Sequence, residues 1–124
     1  MKLLLDTHAF LWWRLGSRHL RRPAREAIAS AELVWVSAAT AWEIAIKRAL
    51  GRLEMDQDLS SMVEASDFTA LDITFAHAER AGLLAAHHAD PFDRMLLAQA
   101  LVEGATLVTH DRHLERYDVP ILWT

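Results

Sequence analysis

Short apolar runs punctuate this chain: KLLL at 2–5, LVWV at 33–36 and ATLVT at 105–109, each giving way to a polar or acidic residue. Runs this short read as buried strands, and LDI at 71–73 with ILW at 121–123 brings the number to five. Between them lie stretches with helical signals. Asp6-Thr7 caps a helix through Phe10 to Trp13, Pro23 stands near the start of PAREAIASA, and Ser37 caps SAATAWEIAIKRALGRL. In that third stretch Trp42, Ile46, Ala49, Leu50 and Leu53 fall at helical spacing and predict an apolar face. A short helix is expected over 57–66, and FAHAERAGLLAAHH predicts one ending near His88. Asp90-Pro91-Phe92-Asp93 is a strong helix start, with Asp90 as the cap, and its helix stops at Gly104. Strands alternating with helices predict a three-layer α/β/α fold around a mostly parallel central sheet of about five strands. With 124 residues, 52% of them hydrophobic, the chain is expected to form a single domain over 1–124.

Four carboxylates stand out against this framework: Asp6, Glu43, Asp93 and Asp111. An open parallel sheet presents its binding crevice outside the carboxyl ends of its strands. Asp6 and Asp111 are predicted at two such ends. Asp93 and Glu43 are predicted near the starts of helices that run back from the same edge. Each acid also has a local role open to it: Asp6 and Asp111 as helix caps, Asp93 as a first-turn charge favoured by the helix dipole, Glu43 as the partner of Lys47 at i, i+4. One shared role is the more economical reading. Two carboxylates about 4 Å apart repel by roughly 4 kcal/mol at an effective dielectric of 20, and a divalent cation relieves that repulsion. Oxygen-only ligation favours Mg²⁺ or Mn²⁺, ions that activate water against a phosphodiester. The four acids are therefore the expected metal-binding and catalytic residues of a metal-dependent nuclease.

Composition removes several alternatives. The chain has no cysteine, which excludes thiolate zinc sites, disulfides and cysteine nucleophiles. KLLLD is too short for a signal-peptide core, and no run approaches the ~18 apolar residues of a membrane span, so a soluble cytoplasmic protein is expected. A net charge of −4 argues against holding nucleic acid by overall positive charge. The arginines at 14, 18, 21, 22 and 25 are read as a solvated helix face rather than a phosphate patch. Of the seven histidines, His87 and His88 lack regular ligand spacing to a second cluster and are read as solvated. His110-Asp111 leaves a predicted strand, unlike the pair in all-helical HD phosphohydrolases. The residue two places after Asp6 is His8, which breaks the dehalogenase-type phosphatase motif. The five tryptophans are read as core or interface residues rather than base-stacking platforms, and adjacent Trp12 and Trp13 cannot both face inward.

Over nearly its whole length, through KLLLDTHAFLW, VSAATAWEIAIK, DPFDRMLLAQALVEGATLVTHD and the terminal ILW, the chain resembles the PIN-domain ribonucleases, most closely the VapC-type toxins of bacterial toxin-antitoxin pairs. Position by position, the resemblance carries the family's acids onto Asp6, Glu43, Asp93 and Asp111, with Thr7 and Thr109 as hydroxyls that orient carboxylates or water. It implies a Mg²⁺- or Mn²⁺-dependent endoribonuclease that inhibits translation by cutting RNA. It further implies neutralisation by a cognate antitoxin protein, and homodimerisation. Asp90 is read as a helix cap, with a place at the metal as its alternative. A catalytically inactive PIN-like module that binds RNA or protein is the other functional possibility, and four mutually repelling acids argue against it.

Overall fold

Leu3, Leu4 and Leu5 are all fully buried. Successive side chains leave a strand on opposite faces, so this strand must be covered on both sides. In the computed structural model, which describes residues 1–124, it is the middle strand of the sheet. β1 (Lys2–Leu5) pairs with β2 (Leu33–Ser37) on one side and β4 (Thr106–Thr109) on the other. β3 (Thr69–Leu71) and β5 (Ile121–Trp123) complete the order β3-β2-β1-β4-β5, every pairing parallel. The predicted architecture and strand number are the observed ones.

Six helices cover the faces: α1 (Thr7–Leu15), α2 (Arg22–Ser30), α3 (Ala38–Ala49), α4 (Leu59–Ala65), α5 (Phe75–Leu83) and α6 (Pro91–Glu103), with a 3₁₀ turn over Arg112–Arg116. Leu3 and Leu5 share one core with Phe10 of α1, Ile28 of α2 and Met62 of α4. Leu4 and Leu107 share the other with Leu96 and Leu97 of α6, Leu114 and Tyr117. α3 contributes Ile44 to the first core and Ala39 to the second. No helix is long and apolar enough to cross a membrane.

The chain leaves β1 towards β2 and β3, then crosses back to β4 and β5. Neighbouring strands therefore diverge between β1 and β4, which is where an open α/β sheet forms its crevice. The carboxyl ends of these two strands are tied together there, since the Asp6 N–H donates to the Val108 carbonyl at 3.0 Å.

Four sequence expectations are corrected. The third strand lies two residues earlier than LDI, at Thr69–Leu71. α5 stops at Leu83, well short of His88. The cause is Arg94 of α6, whose guanidinium donates to the carbonyls of Ala81, Leu84, Ala85 and His88 and so satisfies them without further helix. Tyr117 reinforces this loop, its hydroxyl donating to Ala85 O at 2.7 Å and accepting from His88 N at 3.0 Å. The apolar face read on α3 points outward: Trp42 is 61% exposed and Leu50 60% exposed, while Ala39, Thr40 and Ile44 are buried. Small residues let this helix sit close to the sheet, and Trp42 instead meets Phe92, ring centroids 5.1 Å apart. Lastly, the N-terminal arginines are not one solvated face. Arg14 donates to Ser66 and Gln57, and Arg25 to the carbonyls of Ser17 and Leu20; Arg22 alone pairs with a surface acid, Glu26.

Candidate active site

All four predicted acids line one pocket of about 180 Å³ at the divergence of β1 and β4, together with Thr7, His8, Asp90 and His110. No hydrophobic residue lines it. A larger cavity of about 440 Å³ between the β2–β3 edge and α4 is mostly apolar and holds none of these acids. The chemistry belongs to the smaller pocket.

Each acid is positioned by the local role that the sequence also allowed. Asp6 caps α1, its Oδ1 accepting from Ala9 N at 2.7 Å. Asp111 caps the 3₁₀ turn, its Oδ1 accepting from His113 N at 3.0 Å. Asp93 lies in the first turn of α6, and Glu43 Oε2 pairs with Lys47 Nζ at 3.3 Å. Capping and convergence are thus one arrangement: a cap holds its carboxylate at the helix mouth, and both helix mouths open at this sheet edge.

Two hydroxyls complete the scaffold. Thr109 Oγ1 donates to Asp6 Oδ2 at 2.6 Å and accepts from Asp111 N at 3.1 Å, linking the ends of β1 and β4 through one atom. Thr7 Oγ1 donates to Glu43 Oε1 at 2.6 Å. Thr109→Val removes the first link and leaves a buried carboxylate oxygen without its donor. It is expected to destabilise the fold by about 1–3 kcal/mol in urea melts and to lower cleavage roughly 10- to 100-fold, with Thr109→Ser retaining most of both.

The electrostatics are those of crowded anions. Burial holds the Asp6 carboxyl above the ordinary carboxylate range, against the opposing hydrogen bonds from Thr109 and Ala9. Burial likewise pushes Asp93 up to about 6; His88 opposes the shift, and the charges of Asp90 and Asp6 add to it. Asp111 goes the other way, because the His113 hydrogen bonds and charge outweigh its burial. Burial, then His110 and Lys47, lower His8 from its usual value.

His88 corrects the reading of a solvated histidine. The loop pinned by Arg94 and Tyr117 brings its Nε2 to 2.9 Å from Asp93 Oδ2 and 3.6 Å from Asp111 Oδ2. Asp90 caps α6 as read, its Oδ1 accepting from Phe92 N and Asp93 N. It also stands within reach of the site, since ligand atoms of His88, Asp90 and Asp93 lie within 4.8 Å of one another. His8 and His110 were not singled out for this pocket, and their only sequence signal is that each follows a strand-end polar residue by one or two places. His87 stays exposed against Tyr117.

The donor set fits a divalent cation. It is rich in carboxylate oxygen, and two of its acids are held away from easy ionisation by burial, a cost that a bound cation offsets. His88 Nε2 already lies between two of the acids, where a positive charge is most favourable.

A parallel five-stranded sheet with an acidic pocket at its switch point defines a class, and the comparisons agree on it: the PIN-domain family model matches residues 3–120. The chain belongs to the PIN-domain family. It is 31% identical over 121 residues to ribonuclease VapC22 of Mycobacterium tuberculosis, an alignment covering 95% of this chain and 93% of that protein. Among solved structures it resembles VapBC2 of Rickettsia felis bound to a promoter DNA fragment, with a TM-score of 0.73, 14% identity, and 99% and 98% of the two chains covered. A toxin-antitoxin complex from Klebsiella pneumoniae matches with a TM-score of 0.70, 18% identity, and coverage of 98% and 96%.

Proposed function

We propose that this chain is a cytoplasmic, divalent-metal-dependent endoribonuclease, the toxin of a toxin-antitoxin pair, acting as one nuclease domain over residues 1–124. The convergence of Asp6, Glu43, Asp93 and Asp111 in a pocket without apolar lining carries this reading. The relative named as a ribonuclease, matched along almost its full length, supports the reaction class.

In this reading Asp6, Glu43, Asp93 and Asp111 hold Mg²⁺ or Mn²⁺, with Asp90 and His88 at its margin. When bound, the cation supplies an activated water and charge stabilisation at the phosphodiester. The chain's own residues do the rest. Thr109 and Thr7 fix the rotamers of Asp6 and Glu43. Lys47 balances part of the Glu43 charge. The hydrogen bonds from His113 to Asp111 keep that acid ionised and ready to ligate. Aligned anions at fixed positions reduce the reorganisation needed when the phosphate arrives.

Antitoxin binding and homodimerisation are part of the same proposal. A solved structure that shares this fold, from Klebsiella pneumoniae, is a toxin-antitoxin complex. Large apolar side chains stand in water on α3 and its C-cap (Trp42 and Leu50) and on α5 (Phe75 and Leu83), as expected of surfaces that a second copy or a partner covers.

Induction of the chain in bacterial cells, followed by mapping of new RNA 5′ ends beside an Asp6→Asn control, tests the function. Discrete new ends with the wild type, absent with the variant, are expected. Growth arrest without new ends would contradict it and favour the module that only binds.

A further inference from the structure

Next to the acidic pocket lies a second cleft of about 260 Å³, lined by Trp12, His19, Arg21, His110, Arg112 and Trp123. The two share His110 in their linings and so adjoin. Their chemistry is complementary: five carboxylates in the first, two arginines and no acidic side chain in the second.

The local structure does not use up these groups. Arg21 spends its Nε on the Thr124 carbonyl at 2.8 Å, and its two terminal nitrogens have no protein partner. Arg112 makes no hydrogen bond or ion pair with the protein, and its guanidinium lies 4.1 Å over the Trp123 ring. Trp13 meets Phe68, while half-buried Trp12 packs against the same core and also lines this cleft. Its indole turns to this cleft, nearly parallel to the exposed His19 ring at 27° and 5.1 Å, and inclined to His110 at 5.1 Å. Uncompensated guanidinium groups beside aromatic faces are the combination that holds single-stranded nucleic acid, phosphates on the cations and unstacked bases on the rings. A chain of net charge −4 has to concentrate its attraction for a polyanion locally.

We propose that this cleft is a nucleotide-binding subsite for single-stranded RNA adjoining the scissile phosphate. The exposed His19 ring, backed by Trp12, stacks a base on its open face, Arg21 and Arg112 bind backbone phosphates, and His110 lines both clefts. The inference rests on the endoribonuclease reading and extends it to how substrate is positioned. It adds to the sequence reading of Trp12, which packs against the core as read and also lines this cleft.

The test uses the full chain and a fluorescein-labelled single-stranded RNA dodecamer of mixed sequence. Binding is measured in EDTA across a salt series, for the wild type and for Arg112→Ala, Trp12→Leu and His19→Ala, each checked by circular dichroism. Arg112→Ala is expected to reduce the slope of log affinity against log salt by about 0.7, which a merely structural change would not do. Trp12→Leu should weaken binding about fivefold or more. His19→Ala, an exposed change that keeps the core intact, should weaken it less. With Mn²⁺ present, the loss in kcat/KM of each variant is carried by KM.

Unchanged affinity and salt slope in folded Arg112→Ala and His19→Ala would overturn the subsite. So would variants that keep RNA binding and lose only antitoxin binding, which would assign the cleft to a protein. A wild type that binds the dodecamer through these residues yet never cuts it would leave the subsite standing and remove the nuclease reading instead.

Discussion

Asp93→Asn should lower RNA cleavage on the order of a thousandfold, since groups that hold a catalytic metal supply several kcal/mol of transition-state stabilisation and each 1.36 kcal/mol is a factor of ten. The same change should make the metal-free protein more stable at neutral pH. Asp93 is held protonated up to about pH 6 in the folded chain, against an ordinary value of 3.8. Between those values the folded state binds the proton that the unfolded state has released, so the contribution of Asp93 to stability is full below about pH 4 and lost as pH rises through 6. Asparagine keeps the neutral form at every pH. In chelator the variant should therefore match the wild type near pH 4 and exceed it by roughly 1–3 kcal/mol at pH 8. Urea melts at the two pH values measure this. A variant less stable than the wild type at pH 8 would mean that Asp93 is a structural anion and that burial does not penalise its charge.

The second large effect is stabilisation by the metal itself. Mn²⁺ at a hundredfold excess over its dissociation constant should add about 2.7 kcal/mol, on the order of 10 °C in melting temperature. The gain should grow as pH rises through 6, because protons compete for Asp93 below it. In Asp93→Asn most of the gain should vanish. Thermal melts of both proteins with and without Mn²⁺ decide the matter, and equal stabilisation would place the cation elsewhere.

These expectations rest on residues that differ in how far their surroundings could be read from the chain. Asp6 and Asp111 were legible because they follow the ends of short apolar runs, directly for Asp6 and after one intervening residue for Asp111, and a parallel sheet gathers such ends at one edge. Asp93 was legible through the Asp-Pro-Phe-Asp helix start, since a helix packed against parallel strands must begin where they end. Their capping roles and their convergence looked like competing explanations in the sequence, yet the structure makes them one. His88 was not legible. Nothing between Phe75 and Pro91 breaks helical spacing strongly, and the early stop of α5 depends on Arg94 reaching back from the next helix to claim four carbonyls. The α3 face failed for a different reason. Periodicity locates a side of a helix and says nothing about what covers it, so the Trp42 stripe reads as core although the sheet is packed by Ala39, Thr40 and Ile44. The cleft with Arg112 and Trp123 joins residues from three distant segments, which no spacing rule connects.

The central claim, that these carboxylates form a metal-dependent site for cutting RNA, meets its most direct test with purified protein and a 5′-labelled single-stranded RNA. The assay is run with Mn²⁺ and with EDTA, beside folded Asp6→Asn. Cleavage that requires Mn²⁺ and is lost in Asp6→Asn is the predicted result. Cleavage that persists in EDTA, or that proceeds at the wild-type rate in the variant, would contradict it.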